Sequence, residues 1–409
     1  MNFPHRIDSL GIEIWNADVG YGEPGVDGHM GYGGTLLAPI HLHGQPTISA
    51  HSPSRVRVAL ERPVTVTGFM NASAELGPPV EFYANHNWLG TATGAGDATA
   101  PCIIGPGEVT LECAGDRPNW HRHSVWAFAP ADSIAAPIAS GTGATPENTA
   151  IVTVAEYPAG QASRAIRVFS RSVAKRGHRL FAFGEGTKYA GHYEAKVVHL
   201  LHHLRTLPAH FRHILFADGI DCILARPLAE ACAAFNTSGA KLLMSVEPGC
   251  WPIVESNAPS KNAFIEAFPP GGPGGRWINA GVWLGERDFA CRLLEDMATL
   301  HAQLDAATPS PTPDVERFWD TRDMRGNDQH LFQCRYLTDS TGIMLDTGCT
   351  LAATVSTTDM TLGPANTYFD FDDEGVVLRA NGARPSILHF TGWGHPGAYQ
   401  KWASYLRLI

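Results

Sequence analysis

The hydrophobic pattern of this chain changes near residue 150. Before that point, short apolar runs such as residues 55–61 and 64–71 alternate with polar positions and are separated by Gly, Pro and Asn. After it, apolar runs of strand length alternate with amphipathic stretches of helix length, such as residues 163–177. Period-two alternation predicts antiparallel strands, whereas strands that alternate with helices predict a mostly parallel sheet. We therefore expect an all-β sandwich followed by an α/β domain.

Between these two parts, residues 131–149 are rich in small residues and nearly free of charge. Such a composition is typical of a linker or a long surface connection. We therefore predict a β domain over residues 1–130, a linker over 131–149 and an α/β domain over 150–409. The length of 409 residues agrees with more than one domain.

Composition narrows the class of partner and the location of the protein. The formal net charge of -10 offers no broad basic surface for a nucleic-acid backbone. The first residues lack the apolar core of a signal peptide, and no apolar run approaches the ~20 residues that span a bilayer. The eight cysteines form no C-x-x-C pair, and several lie within apolar runs. We expect a cytoplasmic protein without a membrane partner and with reduced cysteines, a Cys102–Cys113 disulfide being the alternative.

Two acids follow a buried strand in the segment RHILFADGIDCILA, residues 212–225, where Asp218 ends the apolar run and Asp221 comes three positions later. Ligands of parallel sheets bind at the carboxyl ends of strands. A desolvated carboxylate takes up a proton or finds a cation, and oxygen ligands suit magnesium or manganese. The pair therefore favours a divalent metal site that neutralises a diphosphate. The alternative is that Asp218 caps a turn and Asp221 is solvated.

Further motifs accompany the aspartate pair in a fixed order. TVAEY (153–157) and AGHYEAKVVHLL (190–201) precede it, and SVEPGCWP (245–252), RWINAGVWLG (276–285), RGNDQHLF (325–332) and SILHFTGWG (386–394) follow it. Together they resemble the glycosyltransferase domain of the procollagen lysyl hydroxylase and procollagen glycosyltransferase family, over about residues 150–409. The resemblance implies a Rossmann-like GT-A fold that transfers a sugar from a UDP-sugar with manganese, or with magnesium as the alternative.

The resemblance implies a metal site made of Asp218, Asp221 and His389. A nitrogen ligand among oxygens favours manganese over magnesium, which agrees with a histidine in the site. The alternative is that His389, which lies at the end of an apolar strand, is a structural histidine.

The resemblance also implies a nucleotide site. Glu156 replaces the threonine of the family, Ile220 replaces a tyrosine, and His395 replaces a lysine that would neutralise phosphate. Lys196 matches the family's lysine beside the nucleotide, although it can equally be a solvated helix residue. The predicted nucleotide-binding residues are Val154, Ala155, Glu156, Lys196, Asp218, Gly219, Ile220, Asp221, Gly392 and His395.

Near the donor sugar, Asn279 and Gly281 match an Asn-Ser-Gly segment of the family, with a plain turn as the rival interpretation. Asp328 matches an acidic position at the start of a helix on the acceptor side. A carboxylate there can accept the proton of an attacking hydroxyl or stabilise a cationic sugar, and a helix N-cap is the alternative role. We predict Asp328 as the catalytic carboxylate and Glu247 as the second acidic candidate.

These observations predict a metal-dependent glycosyltransferase that moves glucose or galactose from a UDP-sugar to a hydroxyl of a protein, glycan or small molecule. One alternative is transfer to a hydroxylated nucleic-acid base, which the acidic charge disfavours. Another is a non-catalytic sugar-binding protein with a decayed transferase domain, which the retained acids disfavour. For the N-terminal domain we consider carbohydrate or acceptor binding and homo-oligomerisation, because aromatic residues are frequent in residues 80–90 and 118–128.

Overall fold

The computed structural model describes part of the chain, and for most strands before residue 130 it describes the backbone alone. The described ranges are 11–16, 35–37, 47–52, 55–60, 64–71, 80–92, 95–104, 107–114, 122–130, 148–157, 166–185, 187, 189, 191–253, 261–305, 326–355, 368–372, 375–391, 402 and 406. The chain divides into two compact units. The first contains Met1–Thr142 and Ala159–Arg179, and the second contains Gly143–Pro158 and Leu180–Ile409.

The first unit contains two five-stranded sheets in which every described pairing is antiparallel. The predicted runs of β-type sequence in this region are strands. Face-to-face packing of the sheets as a sandwich stays a prediction. The order in one sheet is β2-β1-β10-β5-β8, with β1 (Gly11–Asn16), β2 (Thr35–Leu37), β5 (Val64–Asn71), β8 (Ala95–Ile104) and β10 (Arg122–Pro130). The order in the other is β3-β4-β9-β6-β7, with β3 (Thr47–Ser52), β4 (Arg55–Leu60), β6 (Val80–Ala84), β7 (Asn87–Ala92) and β9 (Gly107–Ala114).

A helix from a later part of the chain, α1 (Arg167–Lys175), belongs to the first unit. Arg171 donates to a carboxylate oxygen of the buried Glu81 at 2.6 Å, and its guanidinium lies 5.0 Å from the ring centre of Trp88. The hydroxyl of Ser170 accepts from the backbone N–H of Trp88 at 2.9 Å. The sequence predicts this helix, but nothing in the sequence indicates that it packs with the β-strands. The predicted boundary over residues 131–149 stays a prediction.

The second unit is an α/β domain built on a six-stranded sheet with the order β12-β11-β13-β16-β15-β17. All of its strands run in one direction except β16, which is antiparallel to both neighbours. The predicted α/β architecture is confirmed, and the reversed strand is a feature that the sequence does not indicate. The strands are β11 (Thr149–Val154), β12 (Leu180–Phe183), β13 (His213–Ala217), β15 (Leu242–Glu247), β16 (Trp277–Glu286) and β17 (Ile343–Leu345).

Helices of the second unit pack against this sheet through alternate strand residues. Ile214 and Phe216 of β13 share a buried cluster with Leu204, Leu294 and Phe332 from helices. The central strands are buried on both faces, as expected for parallel sheets. The helices are a π-helix (Glu194–His199) that continues as α2 (Leu200–Thr206), then α3 (Ala229–Ser238), α4 (Lys261–Ala267), α5 (Arg287–Asp305) and α6 (Asp328–Thr338). Within the described ranges, no helix has the length and apolar character needed to cross a membrane.

A smaller sheet adjoins the end of β13 in sequence. It contains β14 (Cys222–Leu224), β18 (Ala352–Val355) and β21 (Ile387–Phe390) in the order β14-β21-β18, and a separate hairpin contains β19 (Phe369–Asp372) and β20 (Gly375–Leu378). The antiparallel register of β14 and β21 sets Cys222 opposite His389. This pairing brings a residue from near the end of the chain beside the aspartate loop.

Trp402 anchors the last described part of the chain. Its ring is fully buried and lies 5.6, 5.0 and 5.6 Å from the ring centres of Phe369, Phe371 and Phe390. We expect Trp402→Ala to lower the free energy of unfolding by about 3–5 kcal/mol, because it leaves a cavity among these rings. Denaturant unfolding measures the loss. Tyr368→Ala is the control, because this side chain is 58% exposed, and an equal loss in both variants would contradict the packing described here.

Candidate active site

Asp221 and His389 form the centre of the candidate metal site. The Nε2 atom of His389 lies 3.4 Å from Oδ1 of Asp221. Burial alone would lower the pKa of His389, but the Asp221 carboxylate outweighs burial and raises it. Oδ1 of Asp221 is buried, and among the described residues the Nε2 atom of His389 is its close polar neighbour, with no hydrogen bond of ordinary geometry to it. A carboxylate oxygen and an imidazole nitrogen held this close can both bind one divalent cation, which would pair the buried oxygen.

A third potential ligand lies in the same cluster. Ligand atoms of Asp221, Cys222 and His389 all lie within 4.8 Å of one another. Asp218, the other predicted ligand, is not in this cluster, and its Oδ2 atom accepts a hydrogen bond from the Nζ atom of Lys196 at 2.7 Å. Of the three predicted ligands, Asp221 and His389 therefore lie in one cluster, and Asp218 is bound by Lys196.

Gly281 lies between the predicted ligands. A Cβ atom on this residue would lie 2.2 Å from Cε1 of His389 and 2.9 Å from Oδ2 of Asp218. The backbone N–H of Asp218 also donates to the carbonyl of Gly281 at 2.8 Å. Both side chains therefore approach a point that only glycine leaves open.

Lys196 connects the aspartate loop to α6. Lys196 lies in the π-helix, and its side chain is mostly buried. Its Nζ atom lies 2.7 Å from Oδ2 of Asp218 and 3.5 Å from Oδ2 of Asp328. Burial would lower its pKa, but the carboxylates of Asp218 and Asp328 outweigh burial and raise it. Lys196 is therefore a charged residue within the site and not a solvated helix residue.

Asp328 is the first residue of α6, and it is buried. The N-cap of the helix is Asn327, whose side-chain oxygen accepts from the backbone N–H of His330 at 3.0 Å. Asp328 is therefore not the cap, and its side chain instead faces Lys196 and, at 3.8 Å, the Nδ1 atom of His192. A carboxylate in the first turn is stabilised by the partial positive charge of the helix N-terminus.

Glu247 ends β15 and is buried beside β16. Burial raises its pKa to about 7, although a hydrogen bond from Gln329 opposes the shift. The Nε2 atom of Gln329 donates to Glu247 at 2.5 Å and to the carbonyl of Trp251 at 2.7 Å, and its Oε1 atom accepts from the N–H of Ala280 at 3.2 Å. Gln329 thus fixes three segments, a role that sequence reasoning missed although this residue follows Asp328 directly.

The raised pKa of Glu247 predicts a stability change that depends on pH. A carboxyl group whose folded-state pKa is raised contributes stability below its unfolded pKa, and this contribution is lost as the pH rises through about 7. Glu247→Gln should therefore raise the free energy of unfolding at pH 8, by at most about 3 kcal/mol, and change it little at pH 4. Denaturant unfolding at both pH values measures this difference. A loss of stability at pH 8 would contradict it.

Asn279 and Gly281 both lie within β16, so the plain turn considered above is wrong. The Oδ1 atom of Asn279 accepts from the N–H of Gly281 at 2.9 Å, and its carbonyl accepts from the hydroxyl of Ser245 at 3.0 Å. Asn279 is buried and fixes the backbone beside the predicted metal ligands. Its side chain is therefore a positioning group in this structure.

The end of β11 lies beside the aspartate loop, because the hydroxyl of Thr153 accepts from the N–H of Gly219 at 2.9 Å. Glu156 is buried, with one oxygen bound by Nδ1 of His199 and the other without a hydrogen-bond partner among the described residues. Burial raises the pKa of the neighbouring Tyr157, and Asp221 and Asp218 add to the rise. Sequence reasoning missed Tyr157, which lies within the quoted TVAEY segment.

The remaining predicted nucleotide residues differ in their surroundings. Val154 is partly buried, Ala155 is buried and donates to the carbonyl of Phe183 at 2.6 Å, and Ile220 is 45% exposed. An exposed Ile220 is free to contact a bound molecule. The predicted residues Gly392 and His395 lie outside the described residues.

Comparison with known proteins connects this geometry to a class of enzymes. Residues 145–305 match a family model described as the PLOD GT domain. Over 72 residues the chain is 36% identical to the human multifunctional procollagen lysine hydroxylase and glycosyltransferase LH3, which is 18% of this chain and 9% of that protein. Over 83 residues it is 35% identical to the procollagen-lysine,2-oxoglutarate 5-dioxygenase of Drosophila melanogaster, 20% of this chain and 10% of that protein.

Residues 145–305 are therefore similar to a glycosyltransferase domain of the PLOD type, as the order of motifs predicts. The matched segment contains Asp218, Asp221 and Glu247 and ends before Asp328 and His389, which the fold places beside them. The aligned segments span about a tenth of the relatives' own length.

Proposed function

We propose that this chain transfers glucose or galactose from a UDP-sugar to a hydroxyl acceptor, using a divalent metal in a GT-A domain. The observation that carries the proposal is the convergence of the buried side chain of His389 and the buried Oδ1 of Asp221, 3.4 Å apart, beside the carboxyl end of β13 in a segment that matches a PLOD-type glycosyltransferase domain. Asp221 and His389 would hold the metal, together with Asp218, whose Oδ2 atom lies, like His389, close to Gly281.

When bound, the metal supplies positive charge that neutralises the diphosphate of the donor. Manganese is the first choice and magnesium the second, because the imidazole nitrogen of His389 favours manganese over magnesium. Lys196 adds a fixed positive charge between the aspartate loop and the acceptor side. Gly392 and His395 are proposed to contact the diphosphate from the segment that follows β21.

Asp328 is proposed as the catalytic carboxylate. In the transfer, the bond between the anomeric carbon and the UDP oxygen breaks, a bond from the acceptor oxygen to that carbon forms, and the hydroxyl proton leaves the acceptor. Asp328 lies 3.5 Å from Lys196 on the buried side of the site, where it can accept this proton or stabilise positive charge on the sugar. Glu247 and Asn279 position the donor sugar from the neighbouring strands.

The end of β11 is proposed to hold the nucleoside. Glu156 keeps a buried oxygen that can accept a hydrogen bond from an N–H of the base, and uracil carries such a group. Val154 and Ala155 provide the backbone beside it, and Gly219 and Ile220 border the base from the aspartate loop. UDP is therefore the first nucleotide to test.

The acceptor and the role of the first unit belong to the same proposal. Acceptors to test first are peptides that carry hydroxylated lysine, because the human relative is named for procollagen lysine hydroxylation and glycosylation. We propose that the first unit is a β-sandwich that binds the acceptor or joins copies of the chain, and that the protein acts in the cytoplasm.

A donor screen tests the proposed function. The full chain is incubated with UDP-glucose, UDP-galactose and GDP-mannose, each with manganese, magnesium or a chelator, and released nucleotide is measured without acceptor. We expect slow release from one or both UDP-hexoses that depends on manganese. Release that is equal with the chelator contradicts metal dependence, and neither binding nor release from any donor would leave a non-catalytic sugar-binding role.

A further inference from the structure

Cys222 lies against the candidate metal site. In the antiparallel pairing of β14 with β21 it stands directly opposite His389, and directly opposite residues project from the same face of a sheet. Asp221 immediately precedes it, and the ligand atoms of the three residues lie within 4.8 Å of one another. The side chain is fully buried, so its sulfur is shielded from solvent and close to the two other potential ligands.

We propose that Cys222 is a ligand of the bound metal, together with Asp221 and His389. The proposal rests on the metal site of the proposed function and adds a sulfur ligand to it. Thiolates favour zinc, cobalt and cadmium over manganese, whereas carboxylates favour manganese and magnesium. The site should therefore bind thiophilic divalent cations more strongly than a site made only of carboxylates and one histidine would.

The surroundings of the thiol distinguish it from an ordinary packed cysteine. Several other described cysteines are buried, but among the described residues Cys222 alone shares a cluster of this kind with two further potential ligands. A divalent cation supplies the positive charge that a buried thiolate beside two carboxylates requires.

Cobalt titration tests the proposal directly, because a cobalt–thiolate bond gives an intense near-ultraviolet charge-transfer absorption that oxygen and nitrogen ligands do not give. The metal-free full chain should show this absorption with saturation at one cobalt ion. Cys222→Val should lose it, and Cys232→Val should keep it, because Cys232 is a buried residue of α3 outside the cluster. The affinity of Cys222→Val for cobalt and zinc should fall by roughly tenfold or more, and its affinity for manganese should fall less, because manganese gains less from a thiolate ligand.

The titration separates failure of this proposal from failure of the proposed function. Cobalt binding by the wild-type chain without the charge-transfer absorption overturns the role of Cys222 and leaves the metal site intact. No binding of any divalent cation overturns both. The first of these results is read from the wild-type chain alone, so it can be interpreted even if Cys222→Val fails to fold. Cys222→Ser offers a smaller change, and an unaltered cobalt spectrum in that variant also contradicts the proposal.

Discussion

Asp221→Asn should reduce manganese-dependent release of UDP from a UDP-hexose by about 100-fold or more, because it removes the charge of a metal ligand. The amide keeps the shape of the side chain, so the fold should be retained. The measurement is the initial rate of UDP release over a manganese titration. Asp370→Asn is the matched control, since Asp370 is an exposed partner of Arg379 and such surface pairs contribute little.

Two results distinguish the interpretations of Asp221. A solvated aspartate with no ligand would leave the rate of Asp221→Asn equal to that of Asp370→Asn. A weakened metal site would show partial recovery of the rate at high manganese concentration. Equal rates in the two variants at every manganese concentration would remove Asp221 from the site.

Gly281→Ala should have a similarly large effect without changing any charged group. The added Cβ would lie 2.2 Å from Cε1 of His389 and 2.9 Å from Oδ2 of Asp218, closer than carbon atoms approach other atoms. We expect manganese affinity to fall by at least about tenfold, with a stability cost of about 1–3 kcal/mol from overpacking. Calorimetric titration with manganese and thermal unfolding measure the two effects.

Gly348→Ala is the control for this substitution, because no atom lies within 4 Å of the position that its Cβ would take. It should bind manganese as the wild-type chain does. Wild-type manganese affinity in Gly281→Ala would show that His389 and Asp218 do not act together at this point. The unfolding curve would show whether Gly281→Ala still folds. If it does not fold, the manganese titration of Asp221→Asn tests the metal site instead.

Local pattern was enough to predict the strands and the position of the aspartates. The apolar run before Asp218 forms β13. A residue that follows a parallel strand lies at the edge of the sheet where ligands bind, whatever the order of the strands. His389 was identified through the order of motifs, because its pairing with Cys222 joins segments far apart in the chain. Such pairing depends on how β14 and β21 meet in space, which local periodicity does not encode.

Contacts between distant segments could not be predicted in the same way. Lys196 pairs with both Asp218 and Asp328, and Gln329 connects Glu247 with Ala280 and Trp251, because helices and strand ends meet at one edge. The reversed strand β16 and the packing of α1 with the first unit also follow from tertiary structure. The amphipathic pattern of α1 and the apolar pattern of β16 are each compatible with several packing partners.

Binding of UDP to the full chain, measured by calorimetry with manganese and then with a chelator, tests the central claim most directly. The claim is that a metal held by Asp221 and His389 binds the diphosphate of a uridine nucleotide. We predict that UDP binds in the presence of manganese and that its affinity falls at least about tenfold when the metal is removed. Equal affinity with and without manganese, or no binding of UDP in either condition, would contradict the account.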